Sequence, residues 1–320
     1  MRSLLILRVL RVLLVLSGGC TCPHGARPPD GAQPERARLI TVTSSRLGPQ
    51  PVVVVLPRRY DPGRAARYPL LIAFSGRGEA VLAPERGAWG WERDYELTRQ
   101  MAALERGKLE VGDFHGLVTP ARLHRYNRSL SKDPFKGMVV ACPHTFDLLG
   151  SGSPRHAAYE RFYLEELPRA LRRRYHVRRD PRGLGIDGVS LGGLWSLVLG
   201  LAHPGRVGQI GALQPAVTDW IDELAALAAR NRGALRRRPL SLVTSSGDGL
   251  RPAVTRLSAR LLHAGVRHTL TVLTGPHDYV FNRGPGGLHM LLWHDRSFNG
   301  VGPAIDPNEG DRARRRGGER

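Results

Sequence analysis

The stretch from Gly183 to Ala202 constrains this chain more than any other. Gly183-Leu184-Gly185-Ile186-Asp187 has the length and character of a short strand, and Leu191 to Ala202 reads as an apolar helix. Only Gly188, Val189 and Ser190 separate them. A chain that passes from strand to helix so abruptly brings its backbone close to its neighbours. Glycine at 188 and at 192 removes the Cβ atoms that would collide there. The segment predicts a strand–turn–helix unit that exposes the Ser190 hydroxyl on a strained turn, at the positive end of a helix.

The rest of the chain keeps the same alternation. Leu39 to Thr43 and Pro51 to Leu56 read as an opening antiparallel hairpin across a Gly-Pro loop. Tyr68 to Phe74 suits a buried central strand, and Met138 to Pro143 is another. Helical character runs over residues 91–105 and over Glu160 to Tyr175, where Phe162, Leu164, Leu167, Leu171 and Tyr175 recur near helical spacing. Beyond the turn at Ser190, strands at Gln209–Leu213, Pro239–Thr244 and Thr269–Leu273 alternate with helices at Trp220–Ala229, Arg251–His263 and Leu288–His294. This rhythm predicts an α/β fold, a mostly parallel central sheet flanked by helices on both faces. Residues 107–135 are polar and irregular and read as a lid or a substrate-facing excursion. A chain of 320 residues suits one large domain rather than two. The expected boundaries are a signal segment over 1–19, a Pro- and Gly-rich tether over 20–38, the domain over 39–300 and a basic tail over 301–320.

The first residues read as an export leader: Arg2, an apolar run from Leu4 to Leu16 broken by Arg8 and Arg11, then Ser17-Gly18-Gly19 before Cys20. The run is too short and too charged for a membrane span. Leu16-Ser17-Gly18-Gly19-Cys20 resembles a bacterial lipoprotein cleavage box, with serine where leucine is expected three places before the cysteine. The expectations are an exported protein, either a periplasmic or cell-envelope lipoprotein attached to the membrane through lipid on Cys20, or a secreted one. The competing reading is a cytoplasmic protein with an apolar leader. Cys142 ends an apolar run and is expected to pack as a small hydrophobe.

The net charge of +20 suggests nucleic acid at first sight. Among 48 cationic side chains, however, all but Lys108, Lys132 and Lys136 are arginine, and they are scattered along the chain. No aromatic stacking set or nucleic-acid motif accompanies them, which argues against that partner. The runs Arg172–Arg174, Arg236–Arg238 and Arg314–Arg316 read as solvated helix ends and a tail. His289 and His294, five apart, suit no shared metal, and the cysteines form no zinc pattern. Neither a metal nor another cofactor is expected.

Gly188-Val189-Ser190-Leu191-Gly192 is a G-x-S-x-G sequence in the strand–turn–helix setting of a nucleophile elbow. A serine hydroxyl is a poor nucleophile until a base takes its proton. In such an arrangement the chain order is serine, acid, histidine. Among twelve histidines, His277 is best placed, in Gly275-Pro276-His277-Asp278 between the last strand and the last helix. His263 and His268 lie at a helix end and a strand start, His289 and His294 in the final helix, and His144 past a strand edge that would line a pocket. Asp248, in Ser245-Ser246-Gly247-Asp248-Gly249, is the candidate acid, with Asp219, Asp222 and Asp278 as fallbacks. The N–H groups of Leu191 and of Arg77, in Ser75-Gly76-Arg77-Gly78, are the candidate donors to an oxyanion.

From about residue 50 to 295 the chain resembles an esterase family of α/β hydrolases that includes S-formylglutathione hydrolases, feruloyl and enterochelin esterases and mycolyltransferases. The likeness rests on Tyr68 to Gly78, Tyr175-His176-Val177, residues 187–193, Gly247-Asp248 and Gly275 to Asp278. It implies the α/β-hydrolase fold, the triad Ser190, Asp248 and His277, and a small-molecule or polymer-linked ester as substrate. The chain departs from the pattern at Ser75, where some members carry histidine, and over 107–135. The expected reaction is hydrolysis of a carboxylic ester through an acyl-enzyme. Acyl transfer to an alcohol would use the same residues. The rival of a different class is a non-catalytic, surface-anchored binding protein on a hydrolase scaffold, and the intact Ser, Asp and His set argues against it.

Overall fold

The computed structural model describes residues 36–147 and 155–302. The proposed leader, Cys20 and most of the tether and basic tail lie outside them. Eight strands form one sheet in the order β1-β2-β4-β3-β5-β6-β7-β8. They are β1 (Ala37–Ser44), β2 (Gly48–Val55), β3 (Leu70–Phe74), β4 (Val139–Pro143), β5 (Leu184–Gly188), β6 (Gln209–Leu213), β7 (Leu240–Gly247) and β8 (Thr269–Pro276). The opening hairpin is antiparallel and β2 joins β4 antiparallel, while every other pairing is parallel.

The period-two pattern of the strands divides the interior. Val52, Val54, Leu70, Ile72, Phe74 and Ile186 join one apolar core, whereas Val53, Val55, Leu71, Ala73, Val140 and Cys142 join the other. The helices Leu167–Arg174, Leu191–Ala202, Ile221–Arg230 and Arg251–His263 pack on the first face. The helices Leu97–Glu105, Pro120–Lys132 and Gly287–Phe298 cover the second. Because both faces are covered, the central strands read as continuous apolar runs without alternation. Arg173, Arg174, Arg236 and Arg237 are exposed at or just beyond helix ends.

Three boundaries differ from expectation. The domain begins before residue 39: Ala37 pairs with Val55, and the Arg36 guanidinium binds Glu105 at 2.9 Å. β7 and β8 run on to Gly247 and Pro276, so Asp248 and His277 leave the strand ends directly rather than from long loops. The excursion at 107–135 is not irregular. It holds the helix Pro120–Lys132, whose start is capped by the Thr119 hydroxyl accepting from Arg122 N–H. Leu123, Tyr126 and Leu130 make its apolar stripe, too sparse among polar residues to stand out in sequence. The segment lies on the second face of the sheet: Tyr126 Oη bonds His289 Nδ1 at 3.0 Å, and the Arg122 guanidinium donates to the Val272 carbonyl at 3.0 Å.

The end of this helix is pinned to the final helix by buried charges. Arg296 donates to the carbonyls of Ser129 and Asp133 and to the Asp295 carboxylate, which also accepts from Lys136 N–H at 3.0 Å. Burial pushes the Asp295 carboxyl up to about 6 from an ordinary 3.8, against the pull of those partners. A proton is therefore held more tightly in the folded chain than in the unfolded one. The stability this contributes is present below about pH 4 and lost as pH rises through about 6. Compared with Asp295→Asn, the native protein is expected to lose thermal stability as pH rises from 4 to 7. Parallel melting curves at each pH would read this as a drifting difference in Tm. A constant difference would contradict it.

Candidate active site

The carboxyl ends of β5, β6, β7 and β8 lie side by side, and each delivers one residue to the same edge. β5 ends at the turn anticipated in the sequence. Ser190 has φ 56° and ψ −113°, a strained conformation for a residue with a side chain. The reason glycine flanks it is steric: a Cβ on Gly192 would lie 2.3 Å from the Phe74 carbonyl oxygen, and one on Gly188 would lie 2.5 Å from the Gly192 backbone. The strain is held by hydrogen bonds from Ser190 N–H to the Leu213 carbonyl, 2.9 Å, and from Ala216 N–H to the Ser190 carbonyl, 3.0 Å.

Asp248 follows β7 and His277 follows β8. His277 Nδ1 donates to Asp248 Oδ1 at 2.9 Å. That oxygen also accepts from Leu250 N–H at 2.9 Å, and Oδ2 accepts from Thr244 Oγ1 at 2.7 Å. Burial alone would raise the Asp248 pKa, but the hydrogen bonds from His277, Thr244 and Leu250 outweigh it and hold the carboxyl below its ordinary value. Asp248 is thus a fixed carboxylate that orients the imidazole. Its side chain is sealed, whereas that of His277 is 31% exposed. With Nδ1 engaged, Nε2 is the nitrogen left to take a proton.

Past β3, the Ser75 N–H donates to Thr145 Oγ1 at 2.9 Å and the Gly76 N–H to Tyr95 Oη at 3.2 Å. The next N–H, of Arg77, opens the turn Arg77–Ala80, and as its first residue has no carbonyl of its own helix to bond. Leu191 holds the same place in the helix Leu191–Ala202. The Arg77 side chain points elsewhere, to Asp147 at 3.3 Å. Ser75 is buried against Thr145.

Most of the other candidates are held by partners of their own. His144 Nε2 bonds the Ala80 carbonyl at 3.1 Å, His268 bonds Ser258, and burial against Tyr126 drives the His289 pKa down to about 3. Asp222 pairs with Arg260, Asp278 caps the turn at Phe281, and Asp219 is exposed. Among the described residues no group of three His, Cys, Asp or Glu side chains could hold a metal ion. Burial raises the Cys142 thiol well above its ordinary range, which keeps it an inert core residue.

The family described as Putative esterase matches residues 44–221 of the chain. The chain belongs to that family. By that membership it is a carboxylic ester hydrolase, and its fold is the α/β-hydrolase fold of the solved structures it resembles. Among solved structures, a ferulic acid esterase covers 82% of this chain and 99% of its own at 16% identity and a TM-score of 0.61. A fluorophosphonate-binding serine hydrolase of Staphylococcus aureus gives 12% identity and a TM-score of 0.58, with 81% and 98% covered. The S-formylglutathione hydrolase of Staphylococcus aureus gives 13% and 0.56, again with 81% and 98%. No curated protein matches the chain by sequence.

The esterase also carries features that sequence reasoning passed over. Glu79 is a buried residue of the Arg77–Ala80 turn and accepts from both Tyr95 and Tyr279. It thereby ties that turn to the segment holding His277. Burial raises its carboxyl above the ordinary range, and the two phenols only partly offset this. Behind the elbow, His294 Nε2 bonds Asp187 Oδ2 at 3.0 Å and Nδ1 bonds Gln209 Oε1 at 2.8 Å. This second His–Asp pair has no exposure at His294 and cannot reach a substrate. Its one advance signal is glycine at 185 and 211, where a Cβ would lie 2.9 Å from His294 Nδ1 and 1.8 Å from Asp187 Oδ2.

Proposed function

We propose that the enzyme hydrolyses carboxylic esters with Ser190 as nucleophile, His277 as general base and acid, and Asp248 as the carboxylate that orients it. The observation that carries this reading is the 2.9 Å bond between His277 and a buried, ionised Asp248, on the same sheet edge as the strained turn of Ser190. His277 Nε2 takes the Ser190 proton as Oγ attacks the ester carbonyl. The tetrahedral oxyanion is held by the N–H groups of Leu191 and Arg77, each contributing roughly 10²- to 10³-fold in rate. The protonated His277 then releases the alcohol, leaving an acyl group on Ser190. Water, deprotonated by the same imidazole, returns the free serine and a carboxylic acid. The substrate is a small-molecule or polymer-linked ester, and the leader sequence favours action outside the cytoplasm. A panel of p-nitrophenyl esters of graded acyl length is expected to be hydrolysed by the native enzyme and not by Ser190→Ala. Undiminished turnover by that variant would overturn the assignment.

A further inference from the structure

We infer that Gln214 is a positioning residue that sets the three catalytic strand ends in register with one another. The inference rests on the triad proposed above. Gln214 is the first residue after β6, and its neighbour Leu213 supplies the carbonyl that anchors Ser190 N–H at 2.9 Å. Its own N–H reaches the β7 carbonyl of Val243. Its side-chain Nε2 donates to Ser245 Oγ at 2.8 Å on β7 and to the Pro276 carbonyl at 2.9 Å at the end of β8. Pro276 directly precedes His277, and the Ser245 carbonyl accepts from the Asp248 N–H at 3.3 Å. One amide thus spans the strand ends that carry the acid and the base, from a backbone that holds the nucleophile.

Its setting is unfavourable by local criteria. Gln214 has φ 44°, the left-handed region that a glutamine rarely enters. The side chain is fully buried, and Oε1 meets no donor among the described residues. A residue that served only to fill space would be better as an apolar side chain, and one that served only the turn as glycine or asparagine. What glutamine alone adds is the reach of a two-hydrogen donor to Ser245 and Pro276 together.

Gln214→Met keeps the length and volume but removes the donor. It is expected to fold with Tm close to native while kcat on p-nitrophenyl esters falls about 10- to 100-fold and KM stays within about threefold, as for a reacting group displaced by a fraction of an ångström. Labelling of Ser190 by a fluorophosphonate, which needs the base in place, should slow in parallel. Gln214→Asn suits the left-handed backbone better but is one methylene too short to reach Pro276. It should match or exceed native Tm and still lose kcat. In a His277→Ala background Gln214→Met should cost almost nothing further, because there is no base left to place. Native kcat in Gln214→Met and Gln214→Asn, with His277→Ala inactive, would overturn the positioning role and leave the triad standing. Full activity in His277→Ala would overturn both. A loss confined to Tm would show Gln214 to be structural only.

Discussion

His277→Ala is expected to lower kcat on p-nitrophenyl esters by something on the order of 10⁶-fold, with KM changed only severalfold. Without the imidazole, Ser190 keeps its elbow and its backbone donors but has nothing to take its proton. Asp248→Asn is expected to lose less, about 10⁴-fold. The amide oxygen can still accept from Thr244 in the place of Oδ2, which puts the NH2 where Oδ1 faced His277 and Leu250. The group that faces Nδ1, however, no longer demands a proton there, and the imidazole loses the tautomer that leaves Nε2 free. Combining either change with Ser190→Ala should add little, because the three act on one proton. If His277→Ala retained more than a hundredth of native kcat, the base would have to be sought elsewhere. The second His–Asp pair would not supply it, because it is sealed beneath the sheet.

That buried pair gives the second large effect. Asp187→Ala is expected to destabilise the domain by about 3–5 kcal/mol, since it strands His294 Nε2 in a dry interior without its acceptor. For a domain of this size the loss corresponds to a fall of about 5–10 °C in Tm. Burial raises the Asp187 pKa despite the bonds from His294 and Gly188, so desolvation outweighs the attraction of the pair. For that reason Asp187→Val combined with His294→Leu, which replaces both buried polar side chains with apolar ones, should recover much of the loss. Asp187 also accepts from Gly188 N–H at 2.7 Å, one residue into the turn that carries Ser190. The single variant should therefore lose activity at temperatures where it is still folded. Thermal unfolding monitored by circular dichroism would decide it: a Tm within 2–3 °C of native, by the same scaling, would contradict the role given to the pair.

The elements that were legible in the sequence are those whose period and punctuation agree. The helices Leu191–Ala202 and Arg251–His263 and the strand Gln209–Leu213 lie where the apolar pattern puts them. Ser190, Asp248 and His277 could be proposed from the sequence because each lies within two residues of a strand end with glycine close by. The helix Pro120–Lys132 was not legible, because three large apolar side chains in thirteen residues give no visible stripe until the last helix is in place beneath it. Gln214, Glu79 and the Asp187–His294 pair were hidden for a different reason. Their partners are 31, 16, 62, 107 and 200 residues away, and no local spacing announces a contact that only the sheet order creates.

The most direct test of the whole account is to treat the purified protein with a fluorophosphonate and locate the adduct by peptide mass mapping. One stoichiometric adduct is expected, on Ser190, absent in Ser190→Ala and strongly slowed in His277→Ala. Labelling of Ser190→Ala equal to that of the native protein, or no labelling of the folded native protein, would contradict it.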